Sequence, residues 1–84
     1  MDKKKIYLII CELIESNRGY PNTFDWSVRR AFASKEVAYE KLKKYDGTYI
    51  DDGDPLYGPY KLKVDEEHPG YKSITYVQER ELYS

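Results

Sequence analysis

The run Ile6-Tyr7-Leu8-Ile9-Ile10-Cys11-Glu12-Leu13-Ile14 constrains the fold most. It is rich in Ile, Leu and Tyr, and no Gly or Pro interrupts it. In an extended chain Ile6, Leu8 and Ile10 point to one side, and Tyr7, Ile9, Cys11 and Leu13 to the other. Apolar side chains on both sides fit a strand with neighbours along both edges and cover over both faces. The run is expected as the central strand of a small sheet.

A chain of 84 residues forms one domain, 1–84, and hides only roughly 60–65% of its unfolded surface. Leu, Ile, Val and Phe make up 18 of the 84 residues, just above the roughly 20% level below which chains stay disordered. Two features favour folding. The net charge is −1, and ten Tyr with one Trp add rings that pack on one side and stay wet on the other. A core that depends on Tyr suits a thin sheet-plus-helix layer, completed by a homodimer or a partner.

Charge and cysteine content narrow the function classes. Lys plus Arg number 14 and Asp plus Glu 15, so direct nucleic-acid binding is not expected. The single cysteine, Cys11, rules out an intramolecular disulfide and points to a reducing, cytoplasmic setting. Lys3-Lys4-Lys5 followed by the apolar run looks like the start of a signal peptide. Against this, Glu12 and Glu15 follow at once and no small-residue cleavage site appears. No stretch approaches the ~20 apolar residues of a membrane helix.

Along the chain, strand one is expected over Lys5–Glu15, with a turn at Ser16-Asn17-Arg18-Gly19 extended by Tyr20-Pro21-Asn22. Strand two follows over Thr23–Phe32. Phe24, Trp26, Val28 and Phe32 alternate with polar residues, broken by Arg30, which places Trp26 toward the core. Ser34 is a good N-cap for a helix over Lys35–Tyr45, with Ala38, Leu42 and Tyr45 on one stripe, Val37 beside it and Gly47 as the stop. An irregular stretch, Asp46–Pro59, holds a short strand candidate, Thr48-Tyr49-Ile50; its length marks it as a functional segment. Strand three is Tyr60–Asp65. Strand four is Lys72–Tyr83, whose apolar parity switches, as at a bulge or a change of environment. The expected fold is α+β: a ββαββ chain forming a four-stranded, mainly antiparallel sheet in the order 2-1-4-3, with one helix on one face.

This layout resembles small proteins of Gram-positive bacteria and their phages. The resemblance rests on Lys5-Ile6-Tyr7-Leu8-Ile9, on Phe32-Ala33-Ser34-Lys35-Glu36-Val37-Ala38 and on Tyr76-Val77-Gln78-Glu79-Arg80-Glu81-Leu82. It spans most of the chain and implies a small α+β domain with no catalytic residue to carry over. By fold-level analogy it implies an inhibitor of host defence of the anti-CRISPR kind.

Four groups of residues are candidates for chemistry. The acidic loops Asp51-Asp52-Gly53-Asp54 and Asp65-Glu66-Glu67-His68 offer Asp52, Asp54, Glu67 and His68 to zinc or another divalent ion, although neither loop has EF-hand spacing. Otherwise they are solvated turns. Cys11 and His68 lack a third catalytic group, and a mid-strand thiol is ordinarily packing. Tyr20, Tyr49, Tyr57, Tyr60, Tyr71, Tyr76 and Tyr83 are more rings than a thin core hides. Of these Tyr49, Tyr57, Tyr60, Tyr71 and Tyr76 are expected to form a protein-binding surface. Arg29, Arg30, Lys41, Lys43, Lys44, Lys61, Lys63 and Lys72 read as solvated faces opposite the apolar parity or, with tyrosines interleaved, as a nucleic-acid surface.

The leading expectation is a non-enzymatic protein-binding module that inhibits a larger host protein, a defence nuclease such as a CRISPR nuclease. The first alternative is a metal-binding protein using the acidic loops, His68 and Cys11. The second is a nucleotide or small-ligand module using Arg29, Arg30 and the loop tyrosines. No cofactor is expected in the leading reading, and nothing in the sequence activates a nucleophile.

Overall fold

The apolar run becomes β1, Lys3–Asn17, which lies between β2, Tyr20–Phe32, and β5, Tyr71–Tyr83. The computed structural model describes residues 3–17, 20–68 and 70–83; the side chains of 3, 16, 17, 20–24, 82 and 83 lie outside the described set. The expected turn residues Arg18 and Gly19, and the rings of Tyr20, Phe24 and Tyr83, therefore lie outside the described residues. One helix, α1, Lys35–Leu42, precedes two further strands, β3, Thr48–Ile50, and β4, Tyr60–Val64.

The chain is mostly β. Five strands form one sheet in the order β2-β1-β5-β4-β3, and every neighbouring pair is antiparallel. This corrects the expected four-stranded ββαββ arrangement. The extra strand is Thr48-Tyr49-Ile50, which pairs with Leu62, Lys61 and Tyr60 of β4. Three residues are too short to show a period, so their pairing is set by the partner strand rather than by their own pattern. The helix is also shorter than its sequence pattern. It ends at Leu42, and residues 43–47 form turns that lead into β3.

Ser34 caps α1 as expected. Its Oγ accepts from the Val37 N–H at 3.4 Å and donates to the Glu36 carboxylate at 3.0 Å. Eight residues make a helix only about 12 Å long. It buries Ala38 and Leu42 against Ile9 and Val77, with Tyr7, Phe32, Tyr39 and Tyr45 packed around them. Val37 lies outside this contact and is exposed. Beneath the sheet a second cluster joins Ile10, Ile14, Ile74 and Tyr76, flanked by Leu8, Tyr57, Tyr60 and Leu62. Alternation along β1 separates the two clusters: the odd side faces the helix and the even side faces away.

The register of β2 departs from simple alternation. Ile10 pairs with Val28 but Ile9 pairs with Arg30, which leaves Arg29 as an extra residue; a second shift leaves Phe24 extra. A bulge reverses which face the following residues occupy. Phe32 therefore packs under the helix, while Trp26 and Val28 sit on the opposite face. The expected inward Trp26 is instead 60% exposed. β5, by contrast, runs beside β1 in unbroken register from Glu15↔Tyr71 to Lys3↔Tyr83. Its change of apolar parity reflects two apolar faces, with Val77 under the helix and Ile74 and Tyr76 opposite.

The molecule is long, with principal extents of 48 × 22 × 22 Å. Its radius of gyration, 14.1 Å, exceeds the roughly 12 Å expected of a compact chain this size. Among the described residues, no helix is long and apolar enough to cross a membrane.

The turn into β3 depends on Gly47, whose φ is +116°. A Cβ there would lie 2.7 Å from the Leu62 carbonyl oxygen, whereas one on Gly53 (φ +78°) would meet nothing within 4 Å. Gly53→Ala should cost about 1 kcal/mol from the backbone alone, and Gly47→Ala about 2–4 kcal/mol, because it adds a backbone clash. Urea unfolding of the two variants checks this; equal losses would contradict the close approach to β4.

Candidate functional site

The face of the sheet away from the helix holds the best-organised polar feature. Glu12 sits mid-way along β1 on that face, opposite Trp26 of β2 and Ile74 of β5. One carboxylate oxygen accepts the Tyr76 hydroxyl at 2.9 Å and the other accepts the Tyr57 hydroxyl at 3.1 Å. Tyr57 meets Tyr76 edge-on, with centroids 4.9 Å apart, and Tyr60 at 5.8 Å. Tyr60 and Tyr76 are cross-strand partners, which brings their rings together.

Tyr57 reaches this face because its loop is fixed. The Asp54 carboxylate accepts from the Leu56 N–H at 2.8 Å and the Tyr57 N–H at 3.0 Å, and the Asp54 carbonyl accepts from the Gly58 N–H at 2.9 Å. Asp52 accepts from the Asp54 N–H at 3.2 Å. These are turn-forming Asx contacts, the ordinary use of Asp in such a segment. The long loop therefore lies against the sheet, and Tyr57 supplies part of the cover that α1 cannot give.

The phenols hold their protons. Burial, and behind it the hydrogen bond to Glu12, pushes Tyr76 up to about 12. Burial and then the charge of Glu12 raise Tyr57; burial, Asp52 and Asp54 raise Tyr60. With both Glu12 oxygens accepting from neutral phenols, the cluster is a fixed scaffold. Around it polar side chains such as Gln78 and Arg80 are mixed with exposed apolar ones. Trp26 and Val28 stand on the β2 side at 60% and 48% exposure, and Val64 on the β4 side at 50%. A shallow groove lined by Ile10, Glu12, Trp26, Tyr76, Gln78 and Arg80 runs between β2 and the cluster.

Tyr57, Tyr60 and Tyr76 thus converge, and the other two expected binding tyrosines do not. Tyr49, on β3, lies 5.5 Å beneath the Lys43 ammonium. Tyr71 packs edge-on against His68 at 5.9 Å and donates to Glu15 at 3.4 Å, at the far end of the sheet.

The proposed metal ligands are also separated. Asp52 and Asp54 precede β4, and Glu67 and His68 follow it, so a strand of roughly 16 Å lies between the two loops. Asp65 organises the second loop, accepting from the Glu67 and His68 N–H groups at 3.0 and 3.3 Å and lying 3.5 Å from His68 Nδ1. Among the described residues no three His, Cys, Asp or Glu side chains converge on one point. Cys11 is buried in β1 opposite Thr75 and Ser27, well away from His68.

Arg29 and Arg30 sit on β2, and Arg30 pairs with Ile9 on the helix side, whereas Tyr57 and Tyr60 flank the cluster on the other face. Arg30 stacks over Phe32 at 5.2 Å and lines a groove with Lys41, Lys44 and Tyr45. Arg30 and the Tyr57–Tyr60 pair therefore lie on opposite faces of the sheet.

Two features of this face escape a reading of the sequence. Glu12 had a visible signal: an acid among Ile10 and Ile14 on one side of a central strand needs hydrogen-bond donors, and tyrosines abound. The exposure of Trp26 had none, because it follows from the bulge. The chain matches no protein-family model, no curated protein and no solved structure.

The cluster sets a pH dependence. Unfolded Tyr76 ionises near its ordinary 10.0, and folded Tyr76 only near about 12. Its contribution to stability is complete below pH 10 and is lost as pH rises through 12. Tyr76→Phe should cost about 1–2 kcal/mol at neutral pH and flatten the loss of stability in that alkaline window. Glu12→Gln should let Tyr76 ionise at lower pH. Denaturant melts and absorbance titration check both, and an unchanged alkaline slope in Tyr76→Phe would refute the coupling.

Proposed function

We propose that the chain is a non-enzymatic protein-binding module and that the open face of its sheet is the contact surface. The observation that carries this reading is the exposure of Trp26 and Val28 on the β2 side, and of Val64 on the β4 side, of a Tyr57–Tyr60–Tyr76 cluster on one sheet face. Isolated apolar residues on a surface are normal, but exposed Trp26 and Val28 next to a cluster of tyrosine rings on the same face match the composition of an interface centre. Preorganised rings also lose little entropy on docking. Following the phage-protein resemblance, the partner is a larger host protein, a defence nuclease of the CRISPR kind. The chain acts by occupying a surface that the nuclease needs.

Capture from bacterial lysates containing candidate nucleases, followed by affinity measurement with the purified partner, tests this. Trp26→Ala should weaken binding about 30-fold, as for an interface anchor. Lys44→Ala, on the helix side, should leave binding unchanged. Retention of no protein, or equal affinity for Trp26→Ala and wild type, would refute the reading.

A further inference from the structure

β2 is the long free edge of the sheet. It has 13 residues and, among the described residues, pairs only with β1, whereas the opposite edge is the three-residue β3. A free edge presents unpaired backbone N–H and C=O groups, which proteins protect by shortness, bulges or charge. The extra residues Phe24 and Arg29 confine the regular part of this edge to Asp25-Trp26-Ser27-Val28.

That stretch is complementary to itself. Two copies of one edge related by a two-fold axis run antiparallel, and equivalent faces stay on the same side of the joined sheet. Only residues on the same face can then oppose each other. With the axis at Ser27, Trp26 meets Val28 of the second copy, and Asp25, at the end of the regular stretch, comes within reach of the long Arg29 side chain at the second copy's bulge. Trp26 and Val28 share the open face and are both exposed. Asp25 and Arg29 are exposed, and neither has an ion-pair partner among the described residues.

Other registers fit less well. An axis at Val28 sets Trp26 against Arg30, which lies on the opposite face beyond the bulge. An axis at Trp26 pairs Asp25 with Ser27 and leaves the charges unmatched. We infer that the chain forms a homodimer by antiparallel pairing of β2 with β2 about Ser27, joining two five-stranded sheets into one. Both open faces then lie side by side, with both helices on the other side. The dimer seam uses Trp26 and Val28, which also belong to the proposed contact face, but its test reads self-association of the purified chain, so its failure and that of the host-partner reading are told apart.

Sedimentation velocity over a wide concentration range should show a monomer–dimer equilibrium, with emission from the chain's one Trp, Trp26, shifting to the blue as the dimer forms. Asp25→Arg and Arg29→Asp should each raise the dimer dissociation constant about tenfold or more, and the double reversal should restore it. Far-UV circular dichroism shows whether each variant folds. Should a reversal fail to fold, Ser27→Cys answers the same question. An axis at Ser27 places the two residues directly opposite, within disulfide reach, so oxidation should give a covalent dimer. A monomer at every concentration, a dimer indifferent to both reversals, or a Ser27→Cys variant that does not cross-link would overturn the proposal.

Discussion

β1 is apolar on both faces, and among the described residues one eight-residue helix is all the helical cover that the sheet has. The rest of the architecture answers that shortage. The helix lies across Ile9 and Val77 and leaves the opposite cluster of Ile10, Ile14, Ile74 and Tyr76 to be shielded by other means. Tyrosine supplies them. A phenol ring buries its flat body while its hydroxyl reaches water or an acceptor, so Tyr57, Tyr60 and Tyr76 roof one cluster and Tyr7, Tyr39 and Tyr45 flank the other. Two thin half-cores on either side of a sheet, rather than one thick core, explain the elongated shape.

Glu12 ties the second half-core together. An acid on a half-buried sheet face is costly unless its oxygens find donors, and each oxygen here accepts one phenol. One phenol comes from β5 and the other from the loop before β4. A single carboxylate thereby links three segments that are distant in sequence. Asp54 completes the arrangement by capping the backbone of Leu56 and Tyr57, which fixes the loop before its ring is placed. The stretch that length alone would mark as a binding loop is part of the structural cover. The surface proposed for a partner lies on the sheet beside it.

How much of this was legible depends on the range over which each feature is decided. Local features could be read directly: the central strand, its hairpin with β2, the Ser34 cap, and Ala38 with Leu42 as the buried stripe. The long strands also take the expected neighbours, β2-β1-β5-β4, because hairpins leave few alternatives. What escaped is decided across strands. The one-residue excess at Arg29 carries Phe32 and Trp26 to opposite faces, and nothing in the alternation of β2 reveals it except the misplaced Arg30. Thr48–Ile50 could be named as a strand candidate, but its place in the sheet comes from the edge that β4 offers. The acidic loops looked like one site because both are rich in Asp and Glu, yet β4 stands between them. Of the expected binding tyrosines, those that converge, Tyr57, Tyr60 and Tyr76, do so through strand register and a shared acceptor, neither of which composition encodes.

The exposure of Trp26 then bears on function in a way that its sequence position alone does not. In a chain with so few large aliphatic residues, each ring kept out of the core lowers an already thin margin of stability. The bulge at Arg29 puts Phe32 under the helix and leaves Trp26 and Val28 on the opposite face of the same strand. Without it, one face of β2 would carry all three, and the helix-side core would lose a ring. The bulge thus serves two ends: it completes the helix-side core and it arms the open face beside Glu12 with the chain's one indole. A surface built at that cost, on a rigid sheet and next to a locked tyrosine cluster, has the physical character of a binding surface rather than of a core left unfinished.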